Sequence, residues 1–472
     1  MAVEPTRGGG NPTVPFARQI YFLGIGGIGM SALARYFHRA GCEVAGYDKT
    51  PSPLTDALEA EGMAVTTDER VEALPDWDWR AEGVAVVWTP AIPGGHLQRV
   101  WFENQGIRCW KRSEVLGRIT QAKPTLAVAG THGKTTTSSL LAHLLEGTPG
   151  GCDAFLGGIA AAHRSNLYLG SDPRWTVVEA DEFDRSFLQL RPTHAVITSV
   201  DPDHLDIYGD PSAFEAGFRD FAGQVAGRLL VHERVAGDWH STSGPAERYG
   251  VSAGQAPELR HAAVGHRVVD GVSHFDLRFD GATVLPAATF PLPGVHNLEN
   301  AVAACTLALI AGAAPETLRP RLAQFPGVYR RFQYILRTQR VVFIDDYAHH
   351  PVELERTIEA ARAAHPGRHL TGIFQPHLFT RTRDHLAGFA RALDRLDRAI
   401  LLPIYPAREA PISGIDSQRL FDNMQLPDRE ICTPHQIFEC LERRPVDVLL
   451  TLGAGDIDRL VDPIANQLIK SI

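Results

Sequence analysis

The sequence predicts an α/β protein of three domains, in which helices cover largely parallel sheets. Apolar strand candidates alternate with helical segments along the whole chain, which is the pattern of sheets built from strand–helix–strand units. The 472 residues also exceed what one hydrophobic core organises, because domains average roughly 150 residues. We therefore predict a flexible arm at residues 1–17 and domains at 18–121, 122–327 and 328–472.

The composition is that of an ordinary globular protein. Hydrophobic residues make up 44% of the chain and charged residues 21%, and the formal net charge is -9. This balance disfavours nucleic acid and acidic membranes as partners. No apolar run approaches the roughly 20 residues of a membrane span, and the arm lacks the apolar stretch of a signal peptide. The six cysteines contain no CxxC pair, so we expect reduced, mostly buried thiols in a cytoplasmic protein.

A glycine-rich turn opens the first domain. An apolar strand, Gln19–Leu23, runs into Gly24-Ile25-Gly26-Gly27-Ile28-Gly29, and Met30–Arg39 suits a helix. The next strand, Cys42–Tyr47, ends at Asp48, which fits a dinucleotide-binding fingerprint. Its physical content is only a backbone turn that admits a pyrophosphate. Alone it favours an NAD-dependent oxidoreductase, but a UDP-sugar has a pyrophosphate too.

The second domain begins with a phosphate-binding loop. The strand Thr125–Ala129 leads into Gly130-Thr131-His132-Gly133-Lys134-Thr135, and a helix with Leu140, Leu141, Leu144 and Leu145 on one face follows. Glycines let successive N–H groups point at one anion, and the helix N-terminus adds positive potential. Lys134 suits the β and γ phosphates, and the Thr135 hydroxyl suits Mg²⁺. With ATP predicted here, the first domain is better assigned to a nucleotide-linked substrate than to NAD.

Acidic clusters follow the next two strands of this domain. Trp175–Val178 precedes Glu179-Ala180-Asp181-Glu182, and Ala195–Val200 precedes Asp201-Pro202-Asp203-His204-Leu205-Asp206. Because ligands collect at the carboxyl ends of parallel strands, we expect both clusters beside the phosphate loop. Carboxylates and a neutral imidazole are reasonable ligands for a hard cation. Residues 226–292 alternate in short runs and predict a small β-rich part.

Polar clusters also mark the third domain and the segment before it. Gly294–Asn300 opens an Ala-rich helix, where Asn side chains either match an adenine edge or cap the helix. Arg330 and Arg331 are either a phosphate clamp or a solvated pair in a linker. The clusters at the ends of three predicted strands are Asp345–Pro351 after Val341–Ile344, Phe374–Arg381 after Leu370–Phe374, and Gly453–Asp456 after Val448–Leu452.

The motifs GIGGIGMS, GTHGKTTT, EADE, DPDHLDIY, GVHNLEN, DDYAHHP, FQPH and GAGD, in this order, closely resemble those of the Mur ligases of bacterial cell-wall synthesis. The resemblance implies a Rossmann-like domain for a UDP-sugar, a central P-loop ATPase domain, and a Rossmann-like C-terminal domain that closes over both. It further implies that ATP and Mg²⁺ drive the joining of L-alanine to the carboxylate of UDP-N-acetylmuramate through an acyl phosphate, in a monomer or weak homodimer.

The resemblance also implies roles for individual residues. The implied catalytic residues are Lys134, His204, His349 and Arg381. The implied ATP-binding residues are Gly130, Thr131, His132, Gly133, Lys134, Thr135, Thr136, His296, Asn297, Asn300, Arg331 and Asp346. The implied substrate-binding residues are Gly24, Gly26, Gly27, Gly29, Met30, Ser31, Asp48, Tyr347 and His350. The implied Mg²⁺ ligands are Thr135, Glu179 and His204.

Two alternatives to alanine ligation stay open. A recycling ligase of the same family adds a preformed murein tripeptide to the same UDP-sugar, but its first loop usually contains GICG where this chain has GIGG. An NAD-dependent oxidoreductase is the alternative from a different class.

Leu378 stands where many family members have Arg, which leaves Arg381 as the local cation.

Overall fold

The computed structural model describes residues 17–203, 205–252, 259–407 and 409–470. The chain divides into two compact units. The first unit reaches to Ala262 and also takes in Leu277–Leu285 and Asn300–Leu322. The second unit holds Ala263–Asp276, Pro286–Glu299 and the chain from Ala323 onward. No helix among the described residues has the length and apolar content needed to cross a membrane.

The first sheet has five parallel strands in the order β3-β2-β1-β4-β5. Its strands are β1 (Gln19–Leu23), β2 (Glu43–Tyr47), β3 (Ala64–Thr66), β4 (Val84–Trp88) and β5 (Cys109–Lys111). Its helices are α1 (Ile28–Arg39), α2 (Pro53–Ala60), α3 (Leu97–Asn104) and α4 (Arg112–Ala122), with a short 3₁₀ turn at Val71–Ala73. The strand order reverses at β1, so the glycine turn after β1 lies at the switch point where such sheets bind ligands.

The second sheet has ten strands in the order β17-β16-β15-β14-β11-β10-β6-β9-β7-β8. The strands from this part of the chain are β6 (Thr125–Ala129), β7 (Cys152–Ala160), β8 (Ser165–Tyr168), β9 (Trp175–Glu179), β10 (His194–Ile197), β11 (Leu229–His232), β12 (His240–Ser241), β13 (Gly244–Pro245), β14 (Glu247–Ser252), β15 (His261–Val269), β16 (Val272–Phe279) and β17 (Ala282–Phe290). The helices are α5 (Lys134–Leu145), α6 (Leu205–Tyr208), α7 (Pro211–Ala222), α8 (Val295–Ile310) and α9 (Pro315–Ala323), with a 3₁₀ segment at Phe183–Gln189.

The centre of this sheet is parallel from β14 to β7, and β8 pairs antiparallel with β7. The β-rich character predicted for 226–292 is confirmed. Most of its described strands extend the main sheet, and β12 and β13 form a separate pair. The strand predicted as Ala195–Val200 ends at Ile197, because Thr198 and Ser199 turn to support the neighbouring phosphate loop.

The third sheet has six strands in the order β18-β19-β23-β20-β21-β22, all parallel except the edge strand β18. The strands are β18 (Gln333–Arg337), β19 (Val342–Asp346), β20 (Leu370–Phe374), β21 (Arg398–Leu401), β22 (Arg429–Ile431) and β23 (Val448–Leu452). The helices are α10 (Pro351–Ala364), α11 (Phe379–Asp384), α12 (Leu386–Leu393), α13 (Ser417–Asn423), α14 (Ile437–Arg443) and α15 (Val461–Lys470), with a 3₁₀ turn at Asp456–Leu460.

Burial explains why the central strands are almost uniformly apolar. Every residue of β6, β20 and β23 is buried, because helices cover both faces of a parallel sheet. The four leucines predicted to share one face of α5 are all buried, but Thr135–Ser139 are buried as well. The helix α5 is therefore enclosed on more sides than a one-faced amphipathic pattern predicts.

Helix α1 connects the first two sheets within the first unit. Its Tyr36 ring lies 5.2 Å from the Phe155 ring of β7. The fully buried Asn166 side chain of β8 donates to the carbonyl oxygen of Ile28 and, at 2.8 Å, to Ser31 Oγ. Its Oδ1 accepts a 2.7 Å hydrogen bond from the buried Arg35 guanidinium. One amide therefore makes hydrogen bonds to three residues of α1, two of which, Ser31 and Arg35, are buried.

We predict that Asn166→Ala destabilises the protein by about 1 to 3 kcal/mol, because the buried Ser31 and Arg35 side chains each lose a hydrogen bond. The measurement is the urea midpoint of the whole chain followed by circular dichroism. The exposed Asn423, which donates only to Arg419 O, provides the control, and Asn423→Ala is expected to change stability by less than about 0.5 kcal/mol. Equal midpoints for the two variants would contradict the role given to Asn166.

Candidate active site

The phosphate loop lies between β6 and α5, as the sequence predicts. Gly130 and Gly133 have φ values of +131° and +82°, in the region that only glycine adopts without strain. Gly133 is the N-cap of α5, and no side chain among the described residues caps this helix end. The first N–H groups of α5 are thus left for an anion. The segment after β10 supports the loop, since Ser199 Oγ accepts from His132 N at 2.9 Å.

The ammonium group of Lys134 is folded back onto the loop and onto an acidic partner. Its Nζ donates to Gly130 O at 2.6 Å and lies 2.7 Å from an oxygen of the buried Glu182 carboxylate. Burial would lower the pKa of Lys134, but the carboxylates of Glu182, Glu179 and Asp181 outweigh it and raise the pKa. Lys134 therefore stays charged at the place where phosphates would sit.

Two of the predicted Mg²⁺ ligands lie side by side. Thr135 Oγ1 donates to Glu179 Oε1 at 3.2 Å, and the other Glu179 oxygen accepts from Gly157 N at 3.0 Å. The backbone comes so close that a Cβ on Gly157 would lie 2.2 Å from the carboxylate. Hydroxyl and carboxylate oxygens are the donors that Mg²⁺ prefers, so this pair fits the ion. The third predicted ligand, His204, lies outside the described residues.

The second turn of α8 brings one of its predicted asparagines to the loop. A Cβ on Gly133 would lie 2.4 Å from Asn300 Oδ1, so the Asn300 amide packs directly against the loop within the first unit. In the second unit, the Asn297 amide donates to Pro293 O at 2.8 Å and so ties down the helix start. Burial lowers the pKa of His296 to about 4, and Arg356 adds to the effect, so its imidazole is neutral near pH 7.

Asp48, which directly follows β2, bonds to the glycine turn of the first sheet. The carboxylate of Asp48 accepts from Gly26 N at 2.8 Å, and a Cβ on Gly26 would lie 2.9 Å from that oxygen. No side chain of the described residues caps α1, whose N-cap is Gly27. Met30 and Ser31, which the resemblance implies as substrate contacts, have buried side chains. This turn therefore offers backbone N–H groups, not side chains, to a pyrophosphate.

Arg112 is a candidate site residue that the sequence did not single out. Its guanidinium donates to Asp181 Oδ2 at 3.0 Å and lies so close to the glycine turn that a Cβ on Gly29 would meet its Nη1 at 2.5 Å. Arg112, Glu179 and Asp181 line one small depression. A cation thus lies between the turn after β1 and the carboxylate of Asp181.

In the second unit, the pair Arg330 and Arg331 is resolved into two roles. Arg330 donates to Gly453 O at 2.6 Å and lies 3.2 Å from Asp345 Oδ2, so it fastens strand ends together. Both guanidinium groups lie over the Tyr347 ring, 5.2 Å from its centroid for Arg330 and 5.1 Å for Arg331, but Arg330 is the one fixed by the strand ends. Of the two, Arg331 is the one that suits a clamping role.

Asp345 and Asp346 were predicted to follow a strand, and this was wrong, because both belong to β19. Their side chains explain why the strand extends through them. Thr451 on the neighbouring strand β23 donates to Asp345 at 2.7 Å. The Asp346 carboxylate accepts from the N–H groups of Phe332 and Ala348 at 2.7 and 2.8 Å. Burial raises the pKa of Asp346 to about 6, although Arg331 opposes this shift.

Two of the predicted strand-end clusters meet around a pair of histidines. The His349 ring lies 6.1 Å from the His377 ring, and His377 Nδ1 lies 3.5 Å from Arg381 Nη1. Burial lowers the pKa of both imidazoles to about 4, with Arg381 adding to the effect. Both rings are therefore neutral near pH 7 and keep an acceptor nitrogen. His350, by contrast, is the N-cap of α10.

Gln375 connects the strand-end cluster Phe374–Arg381 to the third cluster, Gly453–Asp456. Its amide donates to Asp456 Oδ1 at 2.8 Å, and its Oε1 accepts from Ile457 N at 3.0 Å. Sequence reasoning named the motifs that contain Gln375, His377 and Glu182 but gave these residues no role, and it missed Arg112. The sequence signal that could have identified Glu182 was its position in the acidic cluster that follows a strand. Arg112 follows a strand of the other domain, and nothing in its local pattern distinguishes it.

We predict that Gly133→Ala weakens ATP binding at least about tenfold, because a side chain in the left-handed region costs on the order of 1 to 3 kcal/mol and also clashes with Asn300. The measurement is titration calorimetry with a non-hydrolysable ATP analogue. Gly223→Ala is the control, because Gly223 is helical and its Cβ would meet nothing nearer than 3.6 Å. Unchanged binding in the Gly133 variant would show that this loop does not hold the nucleotide.

Comparison with known proteins gives one consistent family. The chain matches the family model of the Mur ligase catalytic domain at residues 19–124, the Mur ligase middle domain at 128–308 and the Mur ligase glutamate ligase domain at 330–455. Together these ranges span all three sheets. The resemblance seen in the motifs and the predicted α/β fold of three domains are thereby confirmed.

Individual relatives agree along nearly the whole chain. A UDP-N-acetylmuramate–L-alanine ligase from Parabacteroides distasonis is 45% identical over 96% of this chain and 98% of its own. The structure of a UDP-N-acetylmuramate–alanine ligase from Thermotoga maritima has a TM-score of 0.81 at 24% identity and covers 96% of this chain and 100% of its own. A murein peptide ligase from Psychrobacter arcticus has a TM-score of 0.67 at 22% identity, with 95% and 98% covered. The chain belongs to the Mur ligase family.

Proposed function

We propose that this protein joins L-alanine to the carboxylate of UDP-N-acetylmuramate at the expense of ATP, an early cytoplasmic step of peptidoglycan synthesis. The observation that carries the proposal is the arrangement of Lys134, Thr135 and Glu179 beside the glycine loop. The near-full-length similarity to curated alanine-adding relatives supports the choice of substrates. We further propose domain boundaries at 18–121, 122–327 and 328–472, and a monomer or weak homodimer.

In the first half of the proposed reaction, the muramate carboxylate attacks the γ-phosphoryl group of ATP and forms an acyl phosphate, with ADP as the leaving group. Activation is needed because an ionised carboxylate is a poor acyl donor. The backbone N–H groups of residues 130–135 and the Lys134 ammonium stabilise the charge on the transferring phosphoryl group. To do so, Lys134 exchanges Glu182 for phosphate oxygens. Thr135, Glu179 and His204 would hold Mg²⁺, which neutralises phosphate charge when bound.

The glycine turn after β1 is proposed to hold the pyrophosphate of the UDP-sugar through Gly24, Gly26, Gly27 and Gly29. Asp48 keeps the turn in shape by accepting from Gly26 N. Arg112 is proposed to position the muramate end, because it lies between this turn and the acids after β9. Positioning of this kind supplies much of the rate in phosphoryl and acyl transfer.

In the second half, the amine of alanine attacks the acyl phosphate, and phosphate leaves from a tetrahedral intermediate. We propose that Arg381 holds the alanine carboxylate and that the neutral ring of His349 accepts a hydrogen bond from the alanine nitrogen, which loses a proton to solvent before it attacks as the free amine. Arg331 and Asp346 are proposed to contact the nucleotide, together with His296, Asn297 and Asn300, and Tyr347 and His350 to line the substrate site. The neutral state of His349 supports this assignment, because an imidazolium has no lone pair to offer.

Two other functions make different demands on the same chain. A ligase that recycles a murein tripeptide would use the same ATP and UDP-sugar chemistry but would need room for a larger amine substrate. An NAD-dependent oxidoreductase would use the glycine turn but has no need of Lys134 and its acidic neighbours. The ATP loop favours a ligase over the oxidoreductase, and the curated relatives favour alanine over tripeptide.

The deciding prediction is that phosphate release from ATP requires both UDP-N-acetylmuramate and L-alanine. The measurement is a coupled phosphate assay with each substrate omitted in turn, followed by mass spectrometry of the product. Lys134→Ala is expected to abolish release without altering the circular dichroism spectrum, because the charge on the transferring phosphoryl group loses its cation. Release with tripeptide but not with alanine would identify the recycling activity instead.

A separate prediction concerns the metal. Glu179→Gln preserves the shape of the side chain but removes its charge, so we expect the Mg²⁺ concentration for half-maximal activity to rise at least about tenfold, since affinity follows ligand charge. The exposed Glu215, which pairs with Arg219 on α7, supplies the control variant Glu215→Gln. If the two Mg²⁺ titrations coincide, Glu179 is not a ligand.

A further inference from the structure

Two cysteines of the second unit lie in direct contact. Cys432 follows the edge strand β22, and Cys440 lies on α14. Their Sγ atoms are 2.7 Å apart, both thiols are free, and both side chains are buried. Seven residues separate them in the sequence, so no CxxC pattern announces the pair. Neither residue takes part in the proposed ligation.

A carboxylate and two guanidinium groups surround this thiol pair. Glu430 Oε2 lies 3.6 Å from Cys440 Sγ. Arg443 Nη2 lies 3.1 Å from the same sulfur and 3.0 Å from that carboxylate oxygen. The buried Arg398 donates to the other oxygen of Glu430 at 2.6 Å and to Cys440 O at 3.0 Å. Both oxygens of Glu430 are thus already engaged by cations.

These charges decide between two kinds of site. Glu430, Cys432 and Cys440 place three ligand atoms within 4.8 Å of one another, which is close enough for a metal ion. A metal cation would have to enter beside two guanidinium groups and compete with them for the one carboxylate. Positive charge next to a sulfur instead favours the thiolate, which is the reactive form in thiol–disulfide chemistry. The surroundings therefore fit a redox-active thiol pair better than a metal site.

We propose that Cys432 and Cys440 are a modification site that forms a reversible intramolecular disulfide by exchange with low-molecular-weight disulfides such as glutathione disulfide. The Cys440 thiolate attacks one sulfur of the reagent, and one equivalent of the small thiolate leaves. Cys432 then gives its proton to solvent, and its sulfur attacks Cys440 Sγ and expels the second small thiolate. The protein loses two hydrogens, and one small disulfide becomes two thiols.

The order of attack follows from the surroundings. Arg443 contacts Cys440 Sγ, whereas burial and the neighbouring Cys440 raise the pKa of the Cys432 thiol to about 12. Cys440 is therefore the first nucleophile, and Cys432 resolves the mixed disulfide. The Arg443 side chain is 64% exposed, so the group that contacts Cys440 Sγ lies at the protein surface.

The test uses the full-length native protein treated with excess glutathione disulfide and analysed by intact-mass spectrometry. We expect a loss of about 2 Da, the two hydrogens removed on disulfide formation, and a fall by two in the six thiols titrated after denaturation. Peptide mapping should link Cys432 to Cys440, and dithiothreitol should restore the original mass. Cys305→Ser removes a fully buried cysteine outside the pair and should leave this result unchanged.

Single variants of the pair separate the two roles. Cys432→Ser should stop the reaction at one glutathione adduct on Cys440, and Cys440→Ser should leave Cys432 unmodified. A native protein that keeps all its thiols under this treatment, or a disulfide that joins any other cysteines, would overturn the proposal. Retention of Zn²⁺ in native mass spectrometry, with the pair protected from the reagent, would show a metal site instead.

Discussion

The buried ammonium of Lys134 is the constraint on which the rest of the candidate site depends. A charge removed from water must be paired, and leaving one partner of a buried pair alone costs on the order of 3 to 5 kcal/mol. The partner is Glu182, with Glu179 and Asp181 close enough to raise the pKa of Lys134 further. The acidic segment after β9 therefore has to lie beside the loop after β6. That requirement is met because β6 and β9 are parallel neighbours in the sheet.

This arrangement also prepares the loop for a nucleotide. With Glu182 as its partner, Lys134 is already desolvated and held at the loop, so little reorganisation is needed when phosphate oxygens take the place of the carboxylate. The glycines also prepare the site, by shaping the backbone around it. Gly133 leaves the start of α5 uncapped, and Gly157 lets the chain approach the Glu179 carboxylate. Charge and close backbone approach thus shape one site.

In the second unit, the electrostatic constraint is repulsion between neighbouring positive charges. Its strand ends carry histidines and arginines close together, and like charges at such distances repel one another. Burial beside Arg381 keeps His349 and His377 neutral, so the arginine carries the positive charge. A neutral imidazole next to a fixed cation suits an amino acid, whose carboxylate needs the cation and whose ammonium needs an acceptor. The fixed cation and the neutral acceptor together support the proposed alanine site.

The family, the fold class and several central strands of the sheets were predictable from the sequence alone. Continuous apolar runs bounded by turn residues are strong local signals, and four strands were predicted with their observed bounds: Gln19–Leu23, Thr125–Ala129, Leu370–Phe374 and Val448–Leu452. Three sets of contacts could be seen only in the folded protein: Glu182 as the partner of Lys134, Arg330 as the residue that joins strand ends, and the neighbours of Arg112 and Cys432. Those contacts join residues of different elements, and neither periodicity nor spacing encodes which side chains meet once the sheets have formed.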